Sequence, residues 1–169
     1  MFSLRKRGKS RSLLWTILLV LGLAMLVLPA RLGFKTFTGK TTLEQNYETG
    51  FVTRVIDGDT FELSDGYKVR LICINTPEKG QPYYQEAKES LTTLVLNKQV
   101  LLEKDERNTD RYGRLLRYAR STEDKHLYNQ NLIEQGLAKV YRIKPDEKYC
   151  DLFEEAQTKA QEEHLGLWS

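Results

Sequence analysis

Residues 55–71, VIDGDTFELSDGYKVRL, carry two Asp-Gly pairs set among β-favouring residues. Val52, Val55, Ile56, Phe61 and Leu63 lie in short strand-like runs, broken at Asp57-Gly58 and again at Asp65-Gly66. The second break separates Phe61-Glu62-Leu63 from Tyr67-Lys68-Val69, a strong hairpin signal because Gly readily takes the left-handed backbone that a tight turn demands. In the strand that follows, Val69, Leu71 and Cys73 share one face while Lys68 and Arg70 share the other. Arg70 therefore points away from the apolar face, either as a solvated strand arginine or as a ligand for an anion.

Outward from this hairpin the periodicity changes. Pro82 begins a helix in which Tyr84, Ala87, Leu91, Leu94 and Val95 recur at helical spacing. Val100 to Glu103 and Tyr112 to Arg120 read as two strands joined by a very polar loop. Leu127 to Gln135 reads as a short helix stopped by Gly136, and Ala138 to Tyr141 as a last short strand. Asp146 is then expected to cap a final helix with Tyr149, Phe153, Ala156 and Ala160 along one apolar edge. Periodicity alone thus gives a mixed, mainly β, α+β domain.

Upstream, the composition shifts. The net charge of +3 over 169 residues conceals an asymmetry. Residues 1–48 hold eight Lys/Arg and two Asp/Glu, whereas residues 49–169 hold eighteen against twenty-one. The domain itself is slightly acidic, so bulk charge gives no argument for a polyanionic partner, and any phosphate affinity must be local. Residues 1–12 form a cationic segment, expected to remain cytoplasmic, ahead of an uncharged apolar run at residues 13–30. As a helix that run would rise about 27 Å, close to the hydrocarbon thickness of a bilayer. It reads as a single-pass anchor that holds the C-terminal domain outside the cytoplasm; a cleaved signal peptide followed by secretion is the alternative. Residues 31–48 read as a flexible polar linker and residues 49–169 as one domain. Cys73 and Cys150 are the only cysteines, and an extracytoplasmic compartment permits a disulfide, although their separation is not readable from sequence. His126 and His164 read as isolated, exposed residues.

Three segments carry chemistry: Asp57-Gly58-Asp59-Thr60, Arg70 with Asn75-Thr76-Pro77-Glu78, and Asp110-Arg111-Tyr112-Gly113-Arg114. Asp57 reads as a turn residue bonding nearby backbone N–H groups. Asp59, the Asn75 side-chain carbonyl and the Thr76 backbone carbonyl form a hard-oxygen set suited to a weak, open calcium site. Glu78 is placed to orient or deprotonate water, against the plain reading of a helix-start surface carboxylate. Arg70 and Arg114 offer the planar forks that pair with phosphate oxygens, with Arg111 a competitor in the same loop. Together these residues suit in-line attack on a phosphodiester. Tyr112 and Tyr141 read as candidates for contact with a base or sugar, or equally as buried packing aromatics.

These motifs resemble those of the thermonuclease (staphylococcal nuclease) family of OB-fold, calcium-dependent nucleases. The similarity runs from about Gly50 to Trp168 and also takes in Gln135-Gly136-Leu137-Ala138-Lys139-Val140 and Leu165-Gly166-Leu167-Trp168. The resemblance implies a five-stranded OB barrel with three helices. It implies Asp59, Asn75 and Thr76 at the Ca2+ site and Arg70, Glu78 and Arg114 as catalytic residues, choosing Arg114 over Arg111. It further implies cleavage of DNA and RNA at the P–O5′ bond, leaving 3′-phosphate ends. Asn75 departs from the Asp usual in the family, and the segment around Tyr141 to Pro145 is one residue shorter than is common there. Nothing in the chain reads base edges, so low sequence specificity with a preference for single or flexible strands is expected; the protein is also expected to be a monomer. The rival reading is a non-catalytic OB module that binds nucleic acid or a protein partner at the cell surface.

Overall fold

The first described strand, β1 (Glu48–Val55), changes partner halfway along its length, and this closes the sheet. The computed structural model describes residues 47–169; the cationic segment, the apolar run and the linker as far as residue 46 lie outside them. Among the described residues no helix is long and apolar enough to cross a membrane. The first half of β1 pairs antiparallel with β5 (Gln99–Glu103), from Glu48 opposite Leu102 to Phe51 opposite Gln99. Its second half pairs with β2 (Thr60–Leu63), with a register shift between Val52 and Arg54. Such an irregularity bends a strand, which a barrel needs wherever one strand serves two neighbours. Antiparallel β2–β3, parallel β3–β6 and antiparallel β5–β6 pairings complete a closed five-stranded barrel, with β3 at Lys68–Leu71 and β6 at Leu115–Arg120. This is the mainly β architecture expected, an OB-type barrel with three helices.

The hairpin follows its turn chemistry. Gly66 has φ +86°, its N–H donates to the Leu63 carbonyl, and the Tyr67 carbonyl accepts from the Leu63 N–H. The resulting alternation sends Phe61, Val69 and Leu71 to the interior, each fully buried. Burying a side chain of this size contributes roughly 1.5–3 kcal/mol, so a one-residue register slip would expose several such terms at once. Helix α1 (Tyr84–Val95) lays Ala87, Leu91 and Val95 on the barrel, one residue per turn. It starts two residues later than Pro82 because Tyr83 is left-handed at φ 63°. Helices α2 (Tyr128–Glu134) and α3 (Cys150–Glu162) pack on one another, and Phe153, Ala156 and Ala160 form the buried edge of α3.

Two further elements depart from the sequence reading. Tyr112 lies in a turn and β6 begins at Leu115, because the Asp110 carboxylate gathers the N–H groups of Tyr112 and Arg114 and stops strand pairing there. Asp146 does not cap α3, which starts at Cys150. Instead Asp146 is buried and accepts from the N–H groups of Glu106 and Arg107 and from Arg107 Nε, so it anchors the polar loop after β5.

A two-residue ribbon outside the barrel positions the site. In it β4 (Ile74–Asn75) pairs antiparallel with β7 (Lys139–Val140), shorter than the strand expected over 138–141. Cys73, just before β4, is disulfide-bonded to Cys150 at the start of α3, with Cα atoms 5.7 Å apart. The C-terminal turn (Gly166–Trp168) docks through the Leu167 N–H on the Gly136 carbonyl and brings Leu167 near the ribbon.

Candidate active site

Asp59 sits at the end of a turn that its neighbour builds. The Asp57 carboxylate accepts from the Asp59 N–H at 3.1 Å, the turn role read for it from sequence. Gly58 between them has no room for a side chain, since a Cβ there would lie 2.7 Å from Thr76 Oγ1 and 2.8 Å from Ala87 Cβ. That close approach lets Thr76 and α1 seal the carboxylate of Asp59, leaving it 6% exposed. Thr60 Oγ1 donates to its Oδ1 at 3.0 Å. The Thr76 N–H and Oγ1 both donate to its Oδ2, at 3.1 and 3.2 Å.

Arg70 completes the cluster. One guanidinium nitrogen lies 3.0 Å from Asp59 Oδ2 and donates to Asn75 Oδ1 at 3.1 Å. The other donates to the Ile74 carbonyl at 3.0 Å and to the Leu71 carbonyl. With only 13% of its side chain exposed, Arg70 is not a solvated strand arginine. Burial pushes the Asp59 carboxyl above its usual range; the Arg70 charge opposes this, and the charge of Asp57 adds to it. Desolvation wins here because the whole carboxylate has left water.

The second arginine is held by its own loop. Gly113 at φ +78° turns the chain so that the Asp110 carboxylate meets Arg114 twice, accepting from its N–H at 3.0 Å and from Nε at 2.7 Å. Burial pushes the Asp110 carboxyl up, but the hydrogen bonds from Arg114 and Tyr112 together outweigh it and hold it below the ordinary value. Arg111 lies over the Tyr112 ring instead, with a guanidinium nitrogen 2.6 Å from the Tyr112 hydroxyl. Arg70, Arg111, Arg114, Tyr112 and Tyr141 line one cleft of about 500 Å³ with an apolar wall that includes Ile72, Ile74 and Ile143. Tyr112 and Tyr141 are 68% and 52% exposed, which excludes the buried-packing reading for both.

Glu78 is exposed and does not line this cleft. Its main chain is fixed by a turn in which its N–H donates to Gln81 Oε1 at 2.8 Å and its carbonyl accepts from the Gln81 N–H at 2.9 Å. Among the described residues no group of three or more His, Cys, Asp or Glu is arranged to hold a metal ion. The Asp59 carboxylate, the Asn75 amide oxygen and the Thr76 carbonyl are nonetheless all hard oxygen donors, so their chemistry fits a calcium ion held by a single negative charge.

The family model described as "Staphylococcal nuclease homologue" matches residues 68–169. A thermonuclease of Staphylococcus hyicus is 37% identical over 145 residues, covering 80% of this chain and 83% of the relative. The chain belongs to the staphylococcal nuclease family. The chain is also similar to a thermonuclease of Staphylococcus intermedius, 36% identical across 76% of this chain and 81% of the relative, and to an uncharacterized endonuclease of Escherichia coli O157:H7, 34% identical across 71% and 76%.

In this staphylococcal nuclease homologue the candidate site also includes residues that the sequence reading passed over. Arg107 lines the cleft, its Nε 2.6 Å from Asp146 Oδ2 and its other end on the Ile143 carbonyl. No local pattern marks it, because the partner that orients it is 39 residues away. Gln81 is similarly silent in sequence, although Pro82 and the glycine before it signal a turn.

Proposed function

We propose that this protein is a calcium-dependent nuclease that hydrolyses phosphodiesters of DNA and RNA with low sequence specificity. The observation that carries the reading is the placement of Arg70 and Arg114 on one cleft, each pinned by a carboxylate, with Asp59 and Asn75 both joined to Arg70 and Thr76 bonded to Asp59. A fork already oriented by Asp59 or Asp110 costs little reorganisation when it meets the phosphoryl oxygens, where electrostatic stabilisation is largest. A cation bound at Asp59, Asn75 and Thr76 would supply Lewis-acid charge neutralisation to a phosphate oxygen. Glu78 takes a proton from water as the water oxygen bonds to phosphorus. The P–O5′ bond then breaks, the departing oxygen takes a proton from solvent, and a 3′-phosphate end remains.

The same proposal sets the domain outside the cytoplasm as a monomer on an uncleaved N-terminal anchor. The apolar run at residues 13–30, its cationic flank and a disulfide suited to an oxidising compartment support this. The test is cleavage of DNA and RNA by the full-length protein in calcium and in chelator, with end analysis of the products. Calcium-dependent release of 3′-phosphate ends that Glu78→Gln abolishes is expected. Binding without cleavage would replace the enzyme with the binding-module reading, and a soluble mature form beginning near Arg31 would replace the anchor with a cleaved signal.

A further inference from the structure

A second cavity adjoins the β4–β7 ribbon through Asn75 and Lys139. It encloses about 450 Å³ and is lined by Asn75, Thr76, Pro77, Gln81, Pro82, Tyr83, Lys139 and Leu167. The nuclease reading uses none of it apart from Asn75, Thr76 and Gln81, which holds the Glu78 main chain. Asn75 and Thr76 are shared, so the cavity begins where the Arg70 cluster ends: Arg70 lines the arginine cleft and donates to Asn75 Oδ1, and Asn75 lines the cavity. A phosphate held at that cluster therefore has two pockets within reach, matching the two nucleosides that every phosphodiester joins.

We propose that this cavity is the subsite for the nucleoside that keeps the phosphate, the one joined through O3′. The inference rests on the nuclease reading above. In-line attack requires the leaving O5′ to depart opposite the water. Glu78 itself lines neither pocket, but its chain neighbours Pro77 and Gln81 line the cavity, which sets the water on that side and the leaving nucleoside in the arginine cleft. The nucleoside that remains on phosphorus is then left for the cavity. The wall chemistry suits it. Tyr83 offers a half-buried ring fixed by its hydroxyl, 2.6 Å from Ser169 Oγ, and Pro77, Pro82 and Leu167 supply apolar surface. Base stacking on such a face tolerates any base. Lys139, exposed with its Nζ 5.1 Å from the centre of the Trp168 ring, supplies a cation at the cavity wall for the next phosphate along the strand.

The test compares two substrates that share a leaving thymidine: the dinucleotide TpT and thymidine 5′-(methyl phosphate), in which a methyl group replaces the retained nucleoside. In calcium the full-length protein should cleave TpT with kcat/KM on the order of 10-fold higher, the size of effect expected for one stacked base. Tyr83→Ala should collapse that ratio toward one, and Tyr83→Phe, which keeps the ring, should preserve it. Equal kcat/KM for the two substrates in the parent protein would overturn the subsite, as would a ratio that survives Tyr83→Ala. Cleavage of neither substrate, together with inert longer DNA, would overturn the nuclease reading and the subsite with it.

Discussion

One nitrogen of the Arg70 guanidinium bridges Asp59 Oδ2 at 3.0 Å and Asn75 Oδ1 at 3.1 Å. The two side chains proposed as cation ligands are thus already joined by a positive charge, with one formal negative charge between them. Charge count is a main determinant of calcium affinity, so this site should half-saturate only at roughly 10⁻⁴–10⁻³ M calcium. Asn75→Asp adds a carboxylate and should lower the half-saturating concentration without a comparable rise in saturated rate. Calcium titration of activity for both proteins decides it; coincident curves would remove residue 75 from the coordination shell.

Arg114→Lys should lower kcat on the order of 10²-fold while leaving the thermal midpoint near that of the parent. Lysine keeps the charge but cannot hold Asp110 and a phosphate with one planar fork. Arg111→Lys should cost far less, because Arg111 rests exposed on the Tyr112 ring rather than on a carboxylate. Steady-state kinetics with a common DNA substrate compare the two, and a reversed order would exchange their roles.

Removing the disulfide by replacing Cys73 and Cys150 with serine should destabilise the domain by about 4 kcal/mol, since the bond closes a long loop of the unfolded chain. The two cysteines are 77 residues apart in sequence and both are buried. Urea unfolding monitored by tryptophan fluorescence measures the change. An unaltered midpoint would mean that the cross-link constrains neither state.

Acid should destabilise the fold through Glu103. Burial pushes this carboxyl up, but hydrogen bonds from Lys148, Tyr149 and Arg120 outweigh it and lower it below its ordinary value of 4.5. A carboxylate depressed in the folded state contributes stability that is present above the unfolded value and is lost as pH falls through the folded one. The thermal midpoint should therefore drop as pH falls below that ordinary value, and Glu103→Gln should flatten that acid limb. A limb of unchanged steepness would assign acid lability to another group.

Strand identity, the Asp65-Gly66 hairpin and the buried edges of α1 and α3 were legible in sequence because each depends on local spacing and turn chemistry. So were the turn role of Asp57 and the three motifs that carry the candidate site. Barrel closure was not legible in periodicity and was expected only from the family resemblance, since it depends on β1 serving β5 and β2 in turn and on the parallel pairing of β3 with β6. Nor was the fate of Asp146, a plausible helix cap that the fold instead buries against the Arg107 loop 39 residues away. The sequence supplied Arg70 as either a solvated or an anion-binding side chain. Only the tertiary structure, by burying the Asp59 carboxylate beside it, gave that arginine a partner, because an ion pair out of water requires both charges to be brought together by parts of the chain that local propensity does not connect.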